Sequence, residues 1–357
     1  VVIDTTTTFK PLTMESTCRP ITSKLPHTTH FHAFKLAAKN KAVILEIDSI
    51  PESELARLSF NSIHIIAKPD APQGRLCIDP TNVSKGIESL NSDEAKALAI
   101  HRYGKVSNTP IEDIVYDWDE RRKSLKMKWS EWHMMREDVE TAYPQLRLSD
   151  ASALLMAVMI SATLIAIFLT GTFGWTGLPM AYDIVGDAML RCIKKKALGV
   201  HHVYTDDFIG GGSLEMLLHD KPIVIDVIRK TFNKDAWSLV KSIGPTQYGE
   251  ALGWLFTFRE GKVRPRDRAI RKLTAAFYSF RIGQALPIKQ WQSLASIANH
   301  YAKGTTCLEP FVSPLYKMTQ KKGFGGLSHV VPSPQATLCI EVWRVALHLW
   351  WRNPSAF

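Results

Sequence analysis

The stretch Val203-Tyr204-Thr205-Asp206-Asp207-Phe208-Ile209-Gly210-Gly211-Gly212 decides how the chain is read. His202, Val203 and Tyr204 are β-prone and form one strand in this reading; Phe208 and Ile209 belong to the next. The short Thr-Asp-Asp connection suits a tight hairpin turn. Side chains at such a tip project past the sheet, where two adjacent carboxylates repel each other unless a cation sits between them. A divalent-metal site is therefore one reading, since Mg²⁺ takes one or two carboxylates together with substrate phosphates. An acidic turn without function is the other, because Asp is common in turns. The surroundings have to decide.

Upstream, Glu137-Asp138-Val139-Glu140-Thr141-Ala142-Tyr143 supplies a third acid. Asp138 is expected at the end of a short strand and Tyr143 at the start of a turn or helix. Phe173-Gly174-Trp175-Thr176-Gly177-Leu178-Pro179 reads as a glycine-rich turn opening a helix from Met180 to Lys196. Its apolar face is expected to be Ala181, Ile184, Val185, Ala188, Met189 and Cys192. Lys194, Lys195 and Lys196 close it where the helix dipole favours cations. Farther back, Ile63–Lys68 and Arg75–Asp79 flank a turn-rich stretch, Pro69 to Gly74, and read as a β-hairpin. Lys68 and Arg75 at its end could grip a phosphate chain; solvated strand-end charges are the alternative.

The remaining stretches frame these. Ala42 to Ile47 reads as strand or buried helix, and Pro51 to Leu58 as a short helix. Thr109-Pro110 opens a helix that leads into a basic run, Arg121, Arg122, Lys123, Lys126 and Lys128, of the kind usually found solvated. After the hairpin, Pro222 is expected to start a helix. Ala251 to Phe258 is expected as one strand, turned back by Arg259-Glu260-Gly261-Lys262. The tail reads as four helices: Pro265 to Arg281, Pro287 to just before Gly304, Leu308 to Met318, and Ser333 to Trp351.

The chain has 357 residues, 45% of them hydrophobic and 22% charged, which indicates a globular protein of two or three domains. A formal net charge of +10 fits a polyanionic partner, nucleic acid or an acidic membrane surface. The five cysteines, Cys18, Cys77, Cys192, Cys307 and Cys339, form no C-x-x-C pair and read as buried thiols in a reducing compartment, hence an intracellular protein. His27, His30 and His32 cluster without a nearby acid or cysteine and read as surface residues. Val1 to about Pro26, rich in Thr, Ser and Pro, is expected to be a loose lead-in. A chain opening on Val1 with no signal peptide is expected to be a piece of something longer. Ala151 to Thr170 runs without a charge and is long enough to span a bilayer. Ser161-Ala162-Thr163 can instead break it into a short helix and buried strands.

Taken together, the order of these pieces resembles a reverse transcriptase. Five motifs over roughly 63–272 carry the likeness. D-x-x-x-A-Y at Asp138 to Tyr143 resembles the first catalytic motif, F-G-x-x-G-x-P at Phe173 to Pro179 the template- and nucleotide-facing turn, and Y-x-D-D at Tyr204 to Asp207 the catalytic hairpin. Lys241, in a loop before Leu252-Gly253-Trp254, resembles the lysine motif and the primer-gripping strand. Lys68 and Arg75 resemble the fingers cations. The tail from Ala295 to Lys317, with Trp343, Trp350 and Trp351, resembles retroelements of the tyrosine-recombinase (DIRS-like) group. Glu140 departs from the pattern, standing where many relatives have Lys, and Trp175-Thr176 is unusual beside the motif glycine.

The resemblance implies an α+β right-hand polymerase. Residues 1–26 would be the flexible lead-in, 27–130 the fingers, 131–261 the palm with an insertion at about 144–172, and 262–357 the thumb and connection. It implies RNA-directed DNA synthesis on a primed RNA or DNA template from dNTPs, with two Mg²⁺ or Mn²⁺ ions and no membrane. Asp138, Asp206 and Asp207 with the Val139 carbonyl would hold the metals, and Lys241 would protonate pyrophosphate. Lys68, Arg75, Val139, Tyr143, Gly177 and Pro179 would meet the nucleotide. Lys262, Arg264, Arg266, Arg268, Arg271 and Lys272, with Leu252, Gly253 and Trp254, would follow the duplex. The competing implication is a catalytically silent relative that binds nucleic acid.

Overall fold

The computed structural model describes residues 2–3, 26–68, 71–80, 89–281, 283–320 and 329–352. The chain forms two compact units, one of Val1–Asn108, Asp138–Cys192 and Ile225–Leu239, the other of Thr109–Glu137, Ile193–Val224 and Val240–Phe357.

The first unit is built on a five-stranded sheet in the order Ala42–Glu46, Leu164–Phe168, Ala157–Met159, Phe60–Lys68, Ala71–Asp79. Ala42 to Glu46 is thus a strand, not a buried helix. The uncharged run 151–170 forms a short helix, Asp150–Leu154, and two strands, with Ser149 capping the helix by accepting from Ser152 N at 3.2 Å. Ser161 Oγ accepts from Leu164 N at 3.0 Å and so makes the turn between the strands. Leu58, Phe60, Ala157 and Ile165 form the sheet's core. Among the described residues no helix is long and apolar enough to cross a membrane.

Three expectations shift here. The hairpin loop is shorter than Pro69 to Gly74, because Ala71 already pairs with Lys68 and Gly74 lies within the strand at φ +66°. A Cβ at Gly74 would sit 2.7 Å from the Ile66 carbonyl, so the register shift there needs glycine. The helix after the glycine-rich turn runs Gly177–Lys194 and buries Leu178, Ala181, Tyr182, Val185, Met189 and Ile193. Ile184, Ala188 and Cys192 form the adjacent exposed row, so the buried stripe is rotated from the one expected. The helix after Ile50 is only Glu52–Leu55, with Pro51 as its N-cap. Residues 4–25 of the lead-in lie outside the described residues; Val2–Ile3 pairs in parallel with Arg147–Leu148.

The second unit holds a four-stranded sheet in the order Ile243–Thr246, His133–Asp138, Asp207–Gly212, Val200–Tyr204. A three-stranded sheet, Tyr248–Ala251, Trp254–Thr257 and Lys262–Pro265, accompanies it. Its core is aromatic: Trp118, Trp132, Trp254, Trp291 and Trp343 are all buried among Ile114, Phe256, Leu273, Phe277 and Ile340. Side chains of this size bury 150–250 Å² each, at about 25 cal/mol per Å², and dominate the unit's stability.

Here too the boundaries move. Ala251 to Phe258 is not one strand, because Leu252 (φ +52°) and Gly253 (φ +86°) turn the chain between Ala251 and Trp254. Pro222 lies inside the helix Leu214–Thr231; the start is set by Ser213, whose Oγ accepts from Met216 N at 3.2 Å. Pro265 ends a strand, and the next helix is Asp267–Tyr278 with Arg266 at its N-cap. Leu308 to Met318 divides into a 3₁₀ segment, Thr306–Phe311, and a helix, Ser313–Gln320. The helices Ile288–Ala302 and Pro334–Arg352 lie where expected. Cys77 and Cys339 are buried as expected, whereas Cys192 and Cys307 are exposed; Cys18 lies outside the described residues.

Candidate active site

The acidic hairpin belongs to the second unit. Val200–Tyr204 pairs with Asp207–Gly212, with Tyr204 opposite Asp207. The turn is therefore two residues, Thr205-Asp206, and Asp207 already belongs to the returning strand. Thr205 takes φ +55° while Asp206 does not take a positive φ, the pattern of a type II′ turn. A β-branched residue in that region costs on the order of 1–3 kcal/mol. Asp206 and Asp207 are partly exposed.

Arg136, one strand over, was not anticipated. Its Nε lies 3.7 Å from Asp207 Oδ1, and its guanidinium donates to the carbonyls of Lys241 at 3.4 Å and Glu250 at 3.3 Å. It thus ties the acid to both segments that follow the hairpin. The side chain of Lys241 itself is exposed. Fully buried Glu137 has Lys221 Nζ 3.3 Å away, and Lys221 also donates to Ser242 Oγ at 3.1 Å.

The glycine run after the acids has a steric cause. A Cβ at Gly210 would sit 2.7 Å from the His201 ring, and one at Gly211 would sit 2.5 Å from the Trp118 indole. His201 and His202 are both buried. His201 Nε2 stands 2.8 Å from Asp220 Oδ2. Burial alone would push the Asp220 carboxyl up. Hydrogen bonds from His201, His219, Leu198 N and Gly199 N outweigh it and hold the group well below the usual carboxylate range. His202 lies 3.4 Å from Asp117, without a hydrogen bond. Burial, with the charges of Lys194 and His201, brings its imidazole down to about 4. It is neutral at pH 7, so its approach to Asp117 is a contact and not a salt bridge.

Leu252 and Gly253 form the tip of their hairpin, with His300 Nε2 3.1 Å from the Leu252 carbonyl. Trp254 is buried against Tyr301 and Trp350 at centroid distances of 5.6 and 6.5 Å. Of the cations expected to follow a duplex, Lys262 pairs with Glu260 at 3.3 Å, Arg264 with Asp267, and Arg266 with Glu250 at 3.7 Å. Arg268, Arg271 and Lys272 are exposed together on one face of the helix Asp267–Tyr278. Its opposite face buries Ala269, Ile270, Leu273 and Phe277.

The first unit carries the other expected residues. Asp138 is 5% exposed; its carbonyl accepts from Ser238 N at 3.1 Å, and Val139 bridges to Trp237. Tyr143 opens a 3₁₀ turn, with its ring 4.8 Å from Phe173 and 5.7 Å from Tyr182. The Arg75 guanidinium lies 4.2 Å over the Phe173 ring, and the Tyr143 ring meets Phe173 tilted by 56°, so the three side chains form a row of contacts. Arg75 and Phe173 line a groove of about 780 Å³ with His64, Ile66, Ile78 and Asp79. Lys68 closes its strand opposite Ala71.

The glycine-rich turn is fixed by Asn91, which no sequence motif flagged. Its Nδ2 donates to the Gly174 carbonyl at 2.8 Å, and its Oδ1 accepts from Thr176 N at 2.8 Å and Thr176 Oγ1 at 3.0 Å. Gly174, at φ +124°, runs so close to Ile78 that a Cβ would fall 1.8 Å from that carbonyl. Gly177 and Pro179 lie in the first turn of the helix that follows.

Among the described residues, no group of three or more His, Cys, Asp or Glu is gathered as a ligand set for a metal ion. The hairpin's donors are carboxylate oxygens, which suit Mg²⁺ or Mn²⁺ in kind and not the softer metals.

No family model matches the chain, and no curated protein matches it. Solved structures do. The foamy viral protease–reverse transcriptase dRH in complex with double-stranded DNA is 14% identical with a TM-score of 0.57, over 98% of this chain and 53% of that one. The foamy viral protease–reverse transcriptase with an RNA/DNA hybrid is 14% identical with a TM-score of 0.55, over 95% of this chain and 38% of that one. The same enzyme with double-stranded DNA is 13% identical with a TM-score of 0.55, over 98% and 63%. The chain has a reverse-transcriptase-like fold and spans between 38% and 63% of the length of these proteins.

Proposed function

We propose that the chain is a template-directed nucleic-acid polymerase, specifically the RNA-directed DNA polymerase of an intracellular retroelement of the tyrosine-recombinase (DIRS-like) group. One observation carries the reading: an Asp206-Asp207 turn at the tip of an antiparallel hairpin, within a chain of reverse-transcriptase-like fold. The fingers, palm and thumb would fall at about 27–130, 131–261 and 262–357.

Asp138 and Asp206, with the Val139 carbonyl, would hold two Mg²⁺ or Mn²⁺ ions, and Asp207 would contribute more weakly because Arg136 already neutralises part of its charge. When bound, such ions lower the pKa of an attacking hydroxyl and offset charge on the leaving group. The chain's own side chains do the rest. Lys68 and Arg75 bind the β- and γ-phosphates of a dNTP, and the stacking of Arg75 on Phe173 keeps its guanidinium from swinging away. Tyr143, packed against Phe173, presents its ring to the sugar. Lys241 delivers a proton to pyrophosphate. Arg268, Arg271 and Lys272, the exposed cations of their helix, track the phosphates of a primed RNA or DNA template. The +10 net charge supports such a partner.

Primer extension on a homopolymer template with Mg²⁺ or Mn²⁺ tests the reading. Incorporation of dNTPs that is lost in Asp206→Asn is expected. Duplex binding with no incorporation under any metal would identify a silent relative instead.

A further inference from the structure

We infer that Asp220 is a positioning residue for the acidic hairpin, acting through His201. Every group involved lies in the second unit. The Asp220 side chain is completely buried and accepts four hydrogen bonds: from Leu198 N at 2.8 Å, Gly199 N at 2.8 Å, His201 Nε2 at 2.8 Å and His219 Nδ1 at 2.9 Å. Three of the four donors lie at or just before the first arm of the hairpin; the carboxylate comes from the helix that follows the second arm. One anion therefore joins both ends of the hairpin's root.

His201 carries this restraint toward the acids. Nε2 donates to Asp220, and the buried Nδ1 makes no hydrogen bond of its own, so Asp220 is the ring's single polar anchor. That ring lies over Gly210, the cross-strand partner of His201, where a Cβ would be 2.7 Å from it. Gly199 is constrained likewise: a Cβ there would be 2.8 Å from the Gly211 carbonyl and 2.9 Å from Asp220 Oδ2. The carboxylate, the imidazole and the two glycine gaps interlock and leave the arms no freedom to slide. A slip of one residue would move Asp206 off the tip and turn Asp207 to the other face. His202, on the opposite face, leaves its Nε2 without a hydrogen bond and cannot substitute.

The inference rests on the polymerase reading only for what the acids do; the restraint itself is measurable without turnover. His201→Leu removes the donor, His201→Gln keeps an N–H toward Asp220, and Asp220→Asn removes the anion. Hydrogen exchange is followed at the amides of 203–209 and, as a reference, of Trp254–Thr257. Mn²⁺ affinity is read by electron paramagnetic resonance with no nucleotide present. Expected for His201→Leu is at least tenfold faster exchange in 203–209 with the reference unchanged, Mn²⁺ binding weakened several-fold, and both restored in His201→Gln. Asp220→Asn, where it folds, should match His201→Leu. Unchanged hairpin exchange in His201→Leu, or equal acceleration in the reference strand, would overturn the inference, the latter by making the pair a general staple of the fold. A wild-type chain that extends no primer would sink the polymerase reading while leaving the exchange result to decide the restraint.

Discussion

His202 should make the protein acid-sensitive well above the range where carboxylates titrate. Its imidazole is buried and brought down to about 4, against 6.5 when unfolded. Between those values the unfolded chain binds a proton at this site and the folded chain does not, so stability falls as pH falls. The contribution is complete above about pH 6.5 and lost progressively toward pH 4. Each tenfold in proton affinity is worth about 1.4 kcal/mol, so the loss should be about 2 kcal/mol by pH 5 and about 3 kcal/mol at pH 4. For a domain whose whole stability is about 5–15 kcal/mol, that is a large share. The measurement is urea unfolding of wild type and His202→Gln from pH 7.5 to 4. The variant removes the titrating group, so differencing the two curves cancels the carboxylates and the other histidines. Stability differences that stay parallel from pH 7.5 to 5 would refute the reasoning. They would mean that the 3.4 Å approach to Asp117 is a true ion pair that offsets burial.

Other outcomes follow from the site. Asp206→Asn should abolish primer extension while duplex affinity in a filter or fluorescence assay changes little. Replacing Arg268, Arg271 and Lys272 together by Ala should flatten the dependence of log K on log salt by about 0.9 per lost phosphate contact on B-DNA. The same change at Arg264 and Arg266 should do less, since acids already hold both. Tyr143→Val should raise ribonucleotide over deoxynucleotide incorporation about tenfold, the worth of about 1.4 kcal/mol of relieved overpacking. The ratio of kcat/KM for the two nucleotide types on one template checks it.

Much of the fold was legible because local chemistry and packing agree. The strand–turn–strand reading around Asp206 holds, with the turn narrowed to Thr205-Asp206, and the proline- and serine-led helix starts at 288 and 334 fall where their caps lie. The uncharged run 151–170 resolved into a helix and strands once Ser149 and Ser161 found backbone partners. What stayed hidden depends on distant neighbours. Leu252-Gly253 looked like strand interior because its apolar flanks are continuous; two positive φ values, set by tertiary packing, make it a turn. Pro222 looked like a helix start, since the cost of an internal proline is visible only when the preceding turn is known to be helical. Asn91 and Asp220 are single polar residues with no motif, and their importance lies in partners 83 and 22 positions away. Arg136 sits two residues before Asp138, where a cation beside an acid carries no signal of its own.

The positive φ at Thr205 has a bearing on what the sequence can become. Glycine or asparagine would occupy that backbone more comfortably, so the tip of the hairpin is held below its own best stability by a residue choice one peptide bond from Asp206. Stability and chemistry therefore draw position 205 in different directions. Thr205→Gly would raise the melting temperature and give the neighbouring carboxylate more angular freedom. A laboratory lineage selected only for heat resistance should accept that exchange early; one selected for product formation should refuse it.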